Sequence, residues 1–378
     1  MSGDKRYRSS YARRSKGRSS NKRKGNGQNG NRQNGSRKNG RRGSGRGDRR
    51  GILTLLALLI LIPFMAYGVE HPHSKAGEAI RWLEARLGEI PFADLSSTGT
   101  QTAGEEEVYP FEVHFIDVGQ GDATLIRCGD QAMLIDAGEN DKGTAIQYYL
   151  RKQGVEALTY FVLTHPDSDH IGSADVIITK FNIDHVLMPD YEKDNSTYRQ
   201  MMEALDYRGM KEEIVAAAEE SDNSIDDTPY AVGKSFELGE AVCTILGPIQ
   251  QYDDPNSSSI VLLVQYGDTR FLFTGDAGKE AESDILAYCA DNGISLQADV
   301  YKAGHHGSST SSGEELLEAV KPAYTVISCG EDNSYGHPHK ETVERFRMRG
   351  IQMFRTDEQG SVVAYSDGRS IVWEMAGK

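Results

Sequence analysis

The sequence predicts an α/β protein, sheets inside and helices outside, and three observations predict it. Short apolar runs recur from Phe111 to the C terminus, each bounded by Gly, Asp or Asn. Stretches with apolar residues at helical spacing lie between many of them. Several of the apolar runs end in His or Asp, at the strand ends from which loops converge on a site. Strands that alternate with helices over this length call for layered packing around one core.

Taken in order, the strand-like runs are FEVHFIDV (111–118), QAMLIDAG (131–138), YFVLTH (160–165) and HVLMP (185–189). AVCTILGP (241–248), SIVLLVQYG (259–267), RFLFTGD (270–276), ADVYKAGHH (298–306) and YTVISCG (324–330) follow. Helices are expected over Thr144–Gln153, Thr197–Ala204, Lys211–Glu219, Lys279–Ala290, Gly313–Val320 and Lys340–Met348. The globular domain therefore spans 111–378.

What precedes it has a different character. Residues 1–50 hold 18 Lys and Arg against Asp4 and Asp48 and almost no aliphatic side chains. Such a segment buries too little apolar surface to offset its ordering entropy, which predicts a disordered basic tail. Gly51–Val69 is an uncharged run of 19 residues. At about 1.5 Å per residue a helix of that length approaches a hydrocarbon core of about 30 Å, so it is expected to span a membrane. The Lys/Arg block places its own side in the cytoplasm and the domain outside. A cleaved export signal is the rival reading, and the long charged lead speaks against it. Ile80, Leu83, Leu87 and Ile90 then mark a short amphipathic helix beside the membrane, followed by a polar linker to residue 110.

The formal charge of −14 hides this division. With about +16 on the tail, the remainder carries about −30 and repels polyanions at long range. Lys302, Arg345, Arg347 and Arg349 are the candidates for a local basic strip. Cys128, Cys243, Cys289 and Cys329 form no CxxC pair. They read as buried small apolar residues, which excludes a disulfide framework and a thiolate zinc site.

The segment that carries chemistry is YFVLTHPDSDHIGS, 160–173. An apolar strand stops at His165-Pro166-Asp167-Ser168-Asp169-His170, four potential ligands in six positions. One loop can aim imidazole and carboxylate donors at two neighbouring cations. A polar turn would account for Asp, Ser and Pro, but not for both histidines.

THPDSDHIG resembles the first metal motif of the metallo-β-lactamase superfamily, His-x-His-x-Asp-His, with Asp167 where the second His normally stands. The variant is similar to the hydrolase domain of ComEC-type DNA-uptake proteins. FIDVGQGDATLI, MLIDAG, DDPNSSSIVLLV, FTGDA, AGHHGSS and NSYGHPH follow in that family's order. The resemblance covers 111–378 and implies a four-layer αββα sandwich and two divalent ions, zinc or manganese. It implies His165, Asp167, Asp169, His170, Asp276 and His305 as ligands. Asp276 would bridge ions about 3.5–4 Å apart. His306 stands beside His305 as the alternative ligand or a substrate contact.

The superfamily's further His ligand, between the first motif and the bridging Asp, has no counterpart. His185 follows the motif too closely and reads as a strand-edge residue, whereas Asn256 and Ser259 lie nearer the expected region. The ligand set is rich in oxygen, so manganese competes with zinc. Asp169 and His337 are the expected catalytic residues, His337 as proton donor or phosphate contact. Ser308 and Ser309 offer hydrogen bonds to a phosphoryl oxygen. Asp117 and Asp122 flank a turn at Gly119 and Gly121, with Asp122 expected to orient a ligand histidine.

The activity implied is metal-assisted hydrolysis of a phosphodiester, with DNA as substrate in a competence-related role. The alternatives are a small or lipid-linked phosphodiester of the choline phosphate type, a lactone or thioester, and a surface binding module without catalysis. With one apolar span, a DNA translocation channel is not implied.

Overall fold

The computed structural model describes residues 109–218 and 229–377. The chain divides at residue 102, and the architecture here belongs to the unit Ala103–Lys378. The expected basic tail, the span at 51–69 and the amphipathic helix at 76–90 lie outside the described residues. Among the described residues, no helix is long and apolar enough to cross a membrane.

The strands are β1 (Phe111–Phe115), β2 (Thr124–Cys128), β3 (Gln131–Ile135), β4 (Ala157–Val162), β5 (Asn182–Pro189) and β6 (Glu213–Val215). They continue with β7 (Ser235–Leu238), β8 (Ala241–Gly247), β9 (Val261–Tyr266), β10 (Thr269–Phe273) and β11 (Val300–Lys302). The last are β12 (Tyr324–Ile327), β13 (Gln352–Arg355), β14 (Val362–Ser366) and β15 (Ile371–Met375). Among the described residues they form two sheets, ordered β15-β14-β1-β2-β3-β4-β5-β6 and β13-β12-β11-β10-β9-β8-β7. Each sheet is antiparallel at one end, from β15 through β3 and from β7 through β10. It becomes parallel from β3 through β6 and from β10 through β13, where helices supply most of the crossovers.

Side-chain alternation explains the unbroken apolar runs. Phe271 and Phe273 of β10 enter the core between the sheets with Phe111, Phe115, Met133 and Leu262. Leu272, between them, faces outward to Ile285, Leu316 and Phe346 of the helices Lys279–Asp291, Glu314–Val320 and Lys340–Met348. The other sheet does the same. Leu134 and Phe161 pack on Ile146, Ile177 and Met201 of Gly143–Lys152, Ala174–Lys180 and Ser196–Arg208. Strands buried on both faces read as continuous hydrophobic stretches. The result is four layers, helix–sheet–sheet–helix.

Lys211–Glu219 departs from expectation. Its Glu- and Ala-rich composition favours a helix, yet Glu213–Val215 pairs in parallel with the open edge of β5. Edge pairing and the burial of Val215 outweigh local preference. All four cysteines are buried and free.

Candidate metal centre

The site is assembled from loops that leave β3, β4, β10, β11 and β12 at their C-terminal ends, the usual place for function in an α/β sheet. Asp136 follows β3, His165 follows β4, Asp276 follows β10, and His305 and His306 follow β11. Asp136, His305 and His306 all have left-handed backbone, with φ of 60°, 49° and 53°. That conformation is costly for non-glycine residues and collects at functional sites. The GQGD turn is tied to the first motif because the Asp122 N–H donates to the Asp169 carbonyl at 3.0 Å. Gly121, φ +131°, stands so close that a Cβ would lie 2.4 Å from that carbonyl oxygen.

Asp276 is the hub. Its Oδ1 lies 3.3 Å from His170 Nε2, and its Oδ2 lies 3.6 Å from both His305 Nε2 and His306 Nε2 and 4.0 Å from His165 Nε2. His306 Nε2 is also 3.2 Å from Asp169 Oδ2 and 3.2 Å from His170 Nε2. Behind the ligand atoms the rings are held from their other nitrogens. Asp136 Oδ2 is 2.8 Å from His170 Nδ1, and the Ser328 carbonyl is 3.1 Å from His306 Nδ1. Thr164 and Ser259 hydroxyls are 3.1 and 3.3 Å from His165 Nδ1. Ser259 also accepts the Asp276 N–H and donates to the Asn256 carbonyl.

The electrostatics are those of a group in which protons stand in for cations. Burial opposes the charge on His170, but Asp276 and Asp136 outweigh it and hold its pKa well above the usual value. His306 is likewise raised against burial by Asp276 and Asp122. Against the same burial, His170 and His306 hold Asp276 far below the carboxylate range, and Asp169 is lowered by His306. His165, buried beside charged His170, is pushed down to about 4. Its Nε2 and Asp276 Oδ1 are buried without a hydrogen-bond partner. Such orphaned polar atoms are rare in folded proteins and fit a cation. Asp122, His170, Asp276 and His306 can each bring a ligand atom within 4.8 Å of the others. Asp122, however, already holds the buried Lys302 ammonium at 2.8 Å.

The sequence-predicted residues divide accordingly. His165, Asp169, His170, Asp276, His305 and His306 come together. Both tandem histidines reach Asp276, His305 as expected and His306 as the alternative ligand. His306 is buried and joins Asp169 and His170, while His305, a quarter exposed, approaches Asp276 Oδ2. The two rings stand nearly perpendicular, at 78°, and both reach Asp276 Oδ2. Asp167 stands at the edge of the group, where its charge acts on His165 and its Oδ1 takes Lys193 at 2.5 Å. Ser308 is not open to substrate, since it is buried and its hydroxyl pairs with Thr310. Ser309 donates its N–H to His339. Ser259 braces His165 and Asp276 as described, and Asn256 Oδ1 is buried and unpaired. Asp122 reaches His306 Nδ1 at 3.7 Å, consistent with an orienting role.

His337 stacks over His306 at 6.1 Å between ring centroids and lies 5.5 Å from His305. Burial and the charge of His306 push its pKa down to about 4, and its Nδ1 is buried without a hydrogen-bond partner. His185 sits in β5, paired with Glu213. The basic strip does not form. Lys302 is buried on Asp122, Arg345 and Arg349 pair with Glu314, and Arg347 pairs with Glu344. Sequence reasoning missed Asp136 and Thr164. The MLIDAG segment contained the first, but nothing in the spacing tied it to His170, 34 positions away.

The pattern that defines the metallo-beta-lactamase superfamily matches residues 116–331. ComE operon protein 3 of Bacillus subtilis is 28% identical over 272 residues, covering 66% of this chain and 32% of that protein. Competence protein ComA of Neisseria gonorrhoeae is 31% identical over 282 residues, covering 73% and 36%. Recombination protein 2 of Haemophilus influenzae is 29% identical over 260 residues, covering 67% and 28%. The chain thus spans about a third of the length of these curated relatives.

Proposed function

The chain belongs to the metallo-β-lactamase superfamily, a family of metal-dependent hydrolases, and on that premise we propose that its buried centre hydrolyses phosphodiesters, with DNA as the substrate. One observation carries the reading: a fully buried carboxylate, Asp276, with imidazoles on both of its oxygens and orphaned ligand atoms beside it. Asp169, His170, His306 and Asp276 would hold one divalent ion, and His165, His305 and Asp276 the other, zinc or manganese. When bound, such a pair supplies Lewis acidity that makes water nucleophilic near neutral pH and offsets charge on phosphoryl oxygens.

The protein's own part is to hold and orient. Asp136 and the Ser328 carbonyl fix the rings of His170 and His306, leaving Nε2 toward Asp276 in each. Lys302 neutralises Asp122 and keeps it from competing with Asp276. His337, buried with its Nδ1 unpartnered, offers a ring nitrogen for a hydrogen bond to substrate.

Matched proteins named for competence and recombination support DNA, as does the ComEC-like motif set. The paired arginines and the charge of about −30 favour a second reading, a small or lipid-linked phosphodiester, which is repelled less. The uncharged run 51–69 supports anchoring to a membrane, with the basic tail in the cytoplasm and the hydrolase outside.

The test is metal quantification on the purified full chain, followed by a panel of single- and double-stranded DNA, bis(p-nitrophenyl) phosphate and a choline phosphate diester. Asp169→Ala serves as control. Cleavage of DNA that is lost with metal in the variant supports the reading. Turnover of the small diesters alone supports the second reading. Bound metal without turnover of any member would return the protein to a binding module or to another bond class.

A further inference from the structure

We propose that Tyr335 is a stacking platform for a nucleobase beside the scissile phosphate, an inference that rests on the nucleic-acid reading above. Tyr335 is 63% exposed, and its ring lies nearly parallel to that of His337, at 17° with centroids 5.6 Å apart. His337 in turn lies over His306 at 30°. Three rings therefore step from the buried centre to an exposed side chain. Tyr148 and Tyr207 are also exposed, on the helices Gly143–Lys152 and Ser196–Arg208.

The loop that carries Tyr335 is held in place. Asn333 Oδ1 accepts the N–H groups of Tyr335 and His337, and its Nδ2 donates to the carbonyls of Gly330 and His337. His339 Nε2 lies 3.3 Å from the Tyr335 carbonyl. The ring is thus presented by a fixed backbone, which lowers the entropy lost on binding. A platform of this kind also answers the charge problem. With Arg345, Arg347 and Arg349 engaged by glutamates, a strand gains little from phosphate contacts, whereas stacking needs no positive field. Every base offers a π-face, so the platform selects for an unpaired base without reading sequence.

The experiment measures binding separately from hydrolysis. A fluorescent thymidine oligomer and an abasic oligomer of equal length are titrated into the full chain under chelator, with anisotropy as readout. Tyr335→Ala is expected to weaken binding of the base-bearing oligomer about tenfold or more, the scale of one lost aromatic platform. Tyr335→Phe and Tyr335→Trp should bind as the wild type does, and the abasic oligomer should not distinguish wild type from Tyr335→Ala. The proposal is overturned by unchanged binding in Tyr335→Ala, by equal losses on both oligomers, or by a wild type that binds neither. The phosphodiesterase reading stands or falls separately, on the turnover of bis(p-nitrophenyl) phosphate.

Discussion

Asp136→Asn is the substitution whose consequence follows most directly from the site's geometry. Asp136 is buried, and its two oxygens do three things. Oδ1 accepts the Thr164 N–H at 2.8 Å, and Oδ2 accepts the Thr164 hydroxyl at 2.7 Å and faces His170 Nδ1 at 2.8 Å. An asparagine has one oxygen for these roles. Keeping it on the Thr164 N–H turns the amide NH2 toward His170 Nδ1, where two donors would meet. The imidazole relieves the clash by moving its proton to Nε2, the atom that faces Asp276. That is the wrong tautomer for a ligand. A hydrogen bond to a charged group contributes about 1.5–3 kcal/mol, and loss of a carboxylate behind a metal-bound histidine costs roughly 10–100-fold in affinity. The two scales agree, since 1.4 kcal/mol is about tenfold. Competition with a chromophoric chelator measures zinc or manganese affinity, and urea unfolding of the metal-free chain separates binding from folding. Wild-type affinity in a folded Asp136→Asn chain would refute the reasoning.

Three further outcomes are expected. Gly172→Ala places a Cβ 2.3–2.4 Å from backbone atoms of Ser168, Asn140 and Glu139, none of which can turn away. Overpacking of this kind costs about 1–3 kcal/mol or more, read as a lower urea midpoint, and an unchanged midpoint would show that the motif loop yields. Lys302→Met strands the buried Asp122 carboxylate and should destabilise by about 3–5 kcal/mol. Adding Asp122→Asn should recover much of that, and a double variant no better than the single one contradicts the pairing. Burial pushes Glu282 up to about 7 despite the backbone donors of Gly313 and Ser312. A carboxyl raised in the fold stabilises fully below its unfolded pKa of 4.5 and loses that contribution as pH rises to 7. The loss is about 3 kcal/mol at roughly 1.36 kcal/mol per pH unit. Unfolding free energies at pH 4 and pH 8 should therefore draw closer together in Glu282→Gln, and an unaltered pH slope would count against it.

What the sequence made legible is what leaves a local trace. The run SIVLLV shows a strand buried on both faces because Leu262 and Leu263 each find a core. His165 and His170 stand out because a polar turn has no use for imidazoles. The helix Lys340–Met348 is bounded as its periodicity predicts. Long-range pairing leaves no such trace. Asp136 meets His170 across 34 positions, and Arg349 meets Glu314 across 35, so neither the brace nor the missing basic strip could be read from spacing. His305 and His306 are neighbours in sequence, and their consecutive left-handed backbone, which leaves His306 buried and His305 a quarter exposed, left no trace in the spacing. Glu213–Val215 has helix-forming neighbours, and an unpaired strand edge overrode them.

The account rests on Asp276 serving two ion positions at once. Metal content per chain, measured on the gently purified full-length protein and on Asp276→Ala, tests this most directly. The wild type is predicted to hold about two divalent ions and the folded variant fewer than one, because both positions lose the carboxylate they share. A variant that retains two ions, or a wild type that binds none when zinc and manganese are supplied, would contradict the account.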